Sequence, residues 1–273
     1  MVQHVSVDLP DGARIAVEME GRGAPLLLVS GLGGTVAFWE RSRALLAQTH
    51  RVITLDQCGI GRSTRGSAAV TVERLAEDVE AVAGALDLGR FALAGHSTGA
   101  GIALTLAAGG RVPLSHLLLS GGWIRADAYI RALFELRLEV LNRAGLAAYE
   151  RLGRFLAYPP ARLVESGDFG PSMTPPGPEE AEQQALWTER IGALLAFDGT
   201  PLLDRIGLPV LVMGRPMMPS SRTTIRPDPA GPAHRPAHDA MPSPPPARAR
   251  DRSSTAEHQP GNHDPIPARP TWG

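Results

Sequence analysis

No lysine occurs in this 273-residue chain, so all 27 basic side chains are arginine. That absence excludes Schiff-base and pyridoxal chemistry, and the phosphate-binding Lys of a P-loop. Cysteine is nearly absent as well. Cys58 alone cannot build an intramolecular disulfide framework or a multi-cysteine metal knot, and it fits a reducing, cytoplasmic compartment. Charge of either sign is not in excess: 27 basic residues face 28 acidic ones, for a net charge of -1. The basic surplus that nucleic acid or an acidic membrane would select is therefore missing. No apolar run approaches the ~20 residues that span a bilayer, and the N-terminal residues have neither a basic head nor an apolar stretch. The expectation is a soluble protein acting on a small molecule, without nucleic-acid or membrane partners; the oligomeric state is left open.

What is present reads as one α/β domain with an insertion. Short apolar runs alternate with helix-period stretches over residues 1–122, the rhythm of a mostly parallel sheet with flanking helices. Strands are expected near 2–8, 14–20, 25–30, 51–56, 91–96 and 114–119. Leu26 to Val29 and Phe91 to Ala94 are continuous apolar runs, as strands covered on both faces should be. Arg14 to Glu20 alternates after the turn Pro10-Asp11-Gly12, so the first two strands read as an edge hairpin. Helices fit 37–48, 71–87 and 98–108. In the second, Leu75, Val79, Val82 and Leu86 share a face, with the acidic residues opposite.

After Ser120-Gly121-Gly122 the pattern turns helical, with Leu133, Leu136, Val140 and Leu141 on one face. Residues 123–200 are taken as an inserted helical cap, interrupted by a Pro-Gly loop over 169–177. Residues 201–214 return to the sheet through Leu208 to Gly214. From Arg215 the composition breaks. Of 25 prolines, 14 fall in the last 59 residues, which contain no Leu, Val or Phe. Such a segment has too little apolar surface to offset the entropy of ordering it. A disordered tail over 215–273 is expected, with the sheet's last strand and helix missing from the chain as it stands.

The chemistry is concentrated in Gly95-His96-Ser97-Thr98-Gly99. This G-x-S-x-G pattern lies between an expected strand and an expected helix. There a sharp turn strains the serine backbone and exposes its hydroxyl, and flanking glycines let neighbouring backbone come close. The helix N-terminus beyond it presents free N–H groups and a positive dipole end to a forming anion. Earlier, Val29 runs into Ser30-Gly31-Leu32-Gly33-Gly34, a loop whose Leu32 N–H can pair with that of Thr98 as an oxyanion hole. Gly31-x-Gly33-Gly34 lacks the G-x-G-x-x-G spacing, so a dinucleotide site is rejected. A third loop runs Asp56-Gln57-Cys58-Gly59-Ile60-Gly61-Arg62-Ser63.

With these three loops in this order, the chain resembles the α/β-hydrolase-fold family. Gly121-Gly122-Trp123 and Ala157-Tyr158-Pro159-Pro160 make it similar to the aminoacrylate hydrolase and enol-lactonase branches. The resemblance covers about residues 3–214. It implies hydrolysis of a small ester, lactone or activated amide or carbamate-type bond through an acyl-enzyme, with Ser97 as nucleophile and no metal or organic cofactor. The third loop is then structural, and Cys58 is not a nucleophile. A carboxylate-nucleophile dehalogenase is excluded by Ser97, whereas cofactor-free haloperoxidase chemistry uses the same serine machinery. Trp123, Tyr129, Phe134, Phe155, Tyr158 and Trp187 are candidates for an apolar wall above the serine, or for joining the cap to the sheet.

The family also needs an acid and then a His after the nucleophile. The acid is expected just past Gly214, where Arg215-Pro216-Met217-Met218 stands. Because methionine has one codon, residues 216–222 read from the third base of the Pro216 codon encode a forced Asp-Ala followed by positions that permit Val-Val-Pro. The start of the tail is therefore read as a shifted frame entered near Arg215. His234, His238, His258 and His263, with Asp228 and Asp239, are discounted as tail residues, since a flexible base cannot hold a reactive geometry. His96 is expected to face away from Ser97. The other reading is a catalytically impaired homologue, a binding module or truncated product lacking the acid and His.

Overall fold

Seven strands form one sheet: β1 (Gln3–Asp8), β2 (Arg14–Glu20), β3 (Ala24–Val29), β4 (His50–Leu55), β5 (Phe91–His96), β6 (Leu114–Ser120) and β7 (Val210–Met213). Their spatial order is β1-β2-β4-β3-β5-β6-β7. The computed structural model describes residues 1–172 and 180–214. The expected tail, its histidines and carboxylates, and most of the Pro-Gly loop fall outside the described residues. The described residues all belong to one compact unit.

β1 and β2 pair antiparallel at the edge, in the hairpin expected, and β2 also runs antiparallel to β4. All remaining pairings are parallel. Leu27, Val29, Ile53 and Leu93 are buried at the centre of the sheet, because parallel strands with helices on both faces have no solvated side. Three helices flank the sheet: α1 (Glu40–Leu46), α2 (Val72–Ala85) and α3 (Thr98–Gly109). The helix expected at 37–48 begins as a 3-10 turn, Val36–Trp39, before α1. Thr71 caps α2 by accepting from the Arg74 N–H at 3.0 Å, an N-cap bond that satisfies one of the helix's free donors.

Between β6 and β7 lie α4 (Ala128–Ala157), α5 (Pro160–Ser166) and α6 (Glu180–Ala196). α4 breaks at Gly145, whose φ of 82° and ψ of 178° are not helical. The two halves fold on each other around Phe134, Leu141, Tyr149, Ile191 and Leu194. Leu136 was expected on the apolar face and is instead exposed, because the packed stripe runs through Phe134 and Leu141. Asp78 was expected on the polar face of α2 and is instead 2 % exposed. Among the described residues no helix is long and apolar enough to cross a membrane.

Candidate active site

β3 leads to β4 on one side and, after β4, the chain returns to β5 on the other side of β3. Ligands of open α/β sheets gather at such a reversal, outside the carboxyl ends of the strands. The ends of β3 and β5 are where the two loops singled out from the sequence emerge.

Ser97 is the hinge between β5 and α3, with φ 55° and ψ -121°. Only Asp87 and Ser97 among the described non-glycine residues have positive φ. For an L-residue that conformation costs on the order of 1–3 kcal/mol and persists only where its surroundings hold it. Two bonds hold it here: Ser97 N–H donates to the Ser120 carbonyl at 2.8 Å, and the Ala100 N–H donates to the Ser97 carbonyl at 2.9 Å. The glycines around the turn are steric necessities. A Cβ on Gly99 would press into the carbonyls of Val29 and Ser30, and one on Gly122 would lie 2.5 Å from the Ala100 Cβ.

The Ser30–Gly34 loop passes directly over the hinge. A Cβ on Gly31 would stand 2.9 Å from the Ser97 Cβ and 3.4 Å from its Oγ. The loop is tied internally, with Ser30 Oγ donating to the Gly34 carbonyl at 2.7 Å and Gly34 N–H donating to the Gly31 carbonyl at 3.0 Å. Leu32 packs against the cap's apolar cluster beside Trp187. The candidate oxyanion residues Leu32 and Thr98 thus flank Ser97 from the ends of adjacent strands.

Above the serine is a cavity of about 10 Å³, lined by Ser97 and Thr98 together with Val72, Trp123, Leu194 and Phe197. That is roughly the space of one water. Phe197 also borders a polar hollow of about 400 Å³ with Arg125, Asp127, Arg131 and Asp198. Thr98 Oγ1 is buried without a hydrogen-bond partner among the described residues.

Of the six candidate wall aromatics, Trp123 lines the cavity. Phe134 is buried behind Trp123, with ring centroids 6.0 Å apart, and Trp187 lies over Gly33. Tyr129, Phe155 and Tyr158 are exposed and do not form the wall. Leu194 and Phe197 were missed; the apolar end of α6 was their only signal in the sequence.

His96 points away from the serine's cavity. Its ring stacks on Phe38 at 4.9 Å, and its Nδ1 lies 3.3 Å from Ser120 Oγ. Burial holds its pKa below the ordinary histidine value, so it is neutral near pH 7. The Asp56 loop is structural in its contacts. The buried carboxylate accepts from the Val36 N–H at 2.7 Å and the Arg62 N–H at 2.9 Å. Burial pushes the Cys58 thiol up, which makes it a poor nucleophile.

Residues 24–146 match the alpha/beta hydrolase fold family. RutD of Azorhizobium caulinodans, named for carbamate hydrolysis, is 33% identical over 206 residues, covering 73% of this chain and 76% of that protein. A thermophilic esterase from Thermogutta terrifontis superposes with a TM-score of 0.62 at 25% identity, over 78% of this chain and 79% of the other. The enol-lactonase of Burkholderia xenovorans LB400 shares the fold, with a TM-score of 0.61 at 19% identity over 77% and 80% of the two chains. The chain belongs to the α/β-hydrolase family. It is a hydrolase.

Proposed function

We propose that this hydrolase works through Ser97 as nucleophile, on a small carboxylic ester, lactone or carbamate-type bond. The hydroxyl attacks the carbonyl carbon, and the oxyanion that forms accepts hydrogen bonds from the N–H groups of Leu32 and Thr98. The leaving group departs with a proton, and water then releases the acyl group. The observation that carries the reading is the strained φ of 55° at Ser97, at the mouth of an apolar cavity and under the Gly31 loop. The names of the relatives support the choice of bond: carbamate for RutD, ester and enol-lactone for the solved structures.

The proton acceptor is not assigned among the described residues; the family resemblance expects an acid and then a His beyond Gly214, and neither is assigned in this chain. The second reading, a homologue that binds without turning over, draws on His96, the histidine nearest in sequence, whose Nδ1 is taken up by Ser120. A fluorophosphonate probe separates the two. Labelling of the wild type and not of Ser97→Ala is the result expected; folded protein that resists labelling overturns the nucleophile.

A further inference from the structure

Arg190 projects from α6 of the cap into the core, where it is 2 % exposed. Its Nη1 donates to Gln57 Oε1 at 2.7 Å, and its Nη2 donates to the Cys58 carbonyl. Its Nε has no partner among the described residues. Among the described residues no carboxylate lies within ion-pair distance of it, although Asp78 and Glu189 contribute at longer range. Burial pushes its pKa down to about 10, which still leaves it charged at neutral pH.

Gln57, equally buried, passes the interaction on. Its Nε2 donates to the Ser30 carbonyl at 2.8 Å and approaches the Gly31 carbonyl at 3.5 Å. The direction of this chain is fixed by chemistry. A guanidinium only donates, so it must meet the amide oxygen of Gln57, and the amide nitrogen is left to face the loop. The flip of Gln57 is thereby determined by Arg190.

A buried cation held by two neutral acceptors is a costly way to hold a cap down, since apolar residues of similar volume do so without the desolvation penalty. What the guanidinium supplies that an apolar residue does not is orientation. The peptides it orients, through one amide, are those preceding the Leu32 N–H.

We propose that Arg190 and Gln57 are positioning residues for the oxyanion loop, so that docking of the cap helix sets the aim of the Leu32 N–H above Ser97. The inference rests on the reading of Ser97 and Leu32 given above. Closure of the cap and completion of the oxyanion hole are then one event.

The test uses the full chain and three variants, Gln57→Glu, Arg190→Met and Arg190→Lys, each first checked for folding by circular dichroism and thermal midpoint. Gln57→Glu keeps an acceptor for Arg190 but turns a carboxylate oxygen toward the Ser30 carbonyl. With p-nitrophenyl acetate, kcat is expected to fall at least about tenfold in Gln57→Glu and Arg190→Met while KM stays within about threefold, the split expected for a lost transition-state interaction. Arg190→Lys, which reaches one acceptor, falls between. Amide exchange of Gly31 to Gly34 is expected to quicken by about tenfold with β5 unchanged. A folded Gln57→Glu variant with wild-type kcat and wild-type loop exchange overturns the proposal. If the wild type neither hydrolyses the ester nor takes the fluorophosphonate label, the serine-hydrolase reading fails by itself. The exchange data then still decide the coupling: faster loop exchange supports it, and unchanged exchange overturns it.

Discussion

The indole of Trp187 on α6 occupies the space where a Cβ of Gly33 would be, and Gly33 itself has φ 67°. The cap therefore rests on a position of the oxyanion loop that has no side chain to resist it. Gly33→Ala meets both a clash and a left-handed backbone, a conformation costing about 1–3 kcal/mol in strain. Urea unfolding should show a loss of that size or more, and the native tryptophan emission should shift as Trp187 is lifted. Unchanged stability and emission would show that the contact is dispensable.

Gly99 is held more severely, because the atoms facing it are backbone carbonyls of Val29 and Ser30 and cannot swing aside. Gly99→Ala should destabilise by more than about 2 kcal/mol, the usual scale for forced overpacking. Because α3 must then withdraw from β3, the fluorophosphonate labelling rate of any folded fraction should drop as well. Denaturant titration and the labelling rate check the two halves separately.

Thr98 carries a buried hydroxyl with no partner among the described residues. Thr98→Val replaces it by a methyl group of nearly the same volume, and an unmade buried hydrogen bond costs about 1–3 kcal/mol. The variant should unfold at higher urea than the wild type. A lower midpoint would mean that the hydroxyl is satisfied in solution.

Asp78 provides the pH dependence. Burial pushes its carboxyl up to about 6, against an ordinary value of 3.8; Arg74 and Arg190 pull it down, and Asp11 and Glu77 reinforce the rise. Arg74 lies 2.9 Å away as an ion pair. Since the folded state holds this proton more tightly than the unfolded chain, the group favours folding below about pH 4, and that contribution is lost as pH rises to 6. Asp78→Asn removes this slope. Its stability relative to the wild type should therefore improve between pH 4 and 6, by at most about 3 kcal/mol for a shift of this size. A constant difference across that range would contradict the assignment.

The tail reading makes a prediction at the level of DNA. An inserted or deleted base is expected across codons 212–222, restoring an Asp-Ala loop after Gly214; an uninterrupted frame there rejects it.

The hinge at Ser97 and the strands around it were legible because they are local. Gly95 and Gly99 are required within two residues of the serine, and the central strands announce themselves as short apolar runs, so neighbouring residues carry the whole signal. The same holds for the edge hairpin at Pro10 to Gly12. Chain folding decided what sequence spacing cannot encode. Arg190 meets Gln57 across 133 positions, and Gln57 meets Ser30 across 27; such pairs leave no periodic trace in the chain. Asp78 looked like a solvated helix residue until other parts of the molecule covered it. Tyr129, Phe155 and Tyr158 looked like wall residues until α4 turned at Gly145. Local conformational preference selects a helix, a strand or a tight turn from a few consecutive residues, whereas burial depends on which distant surface arrives to exclude water.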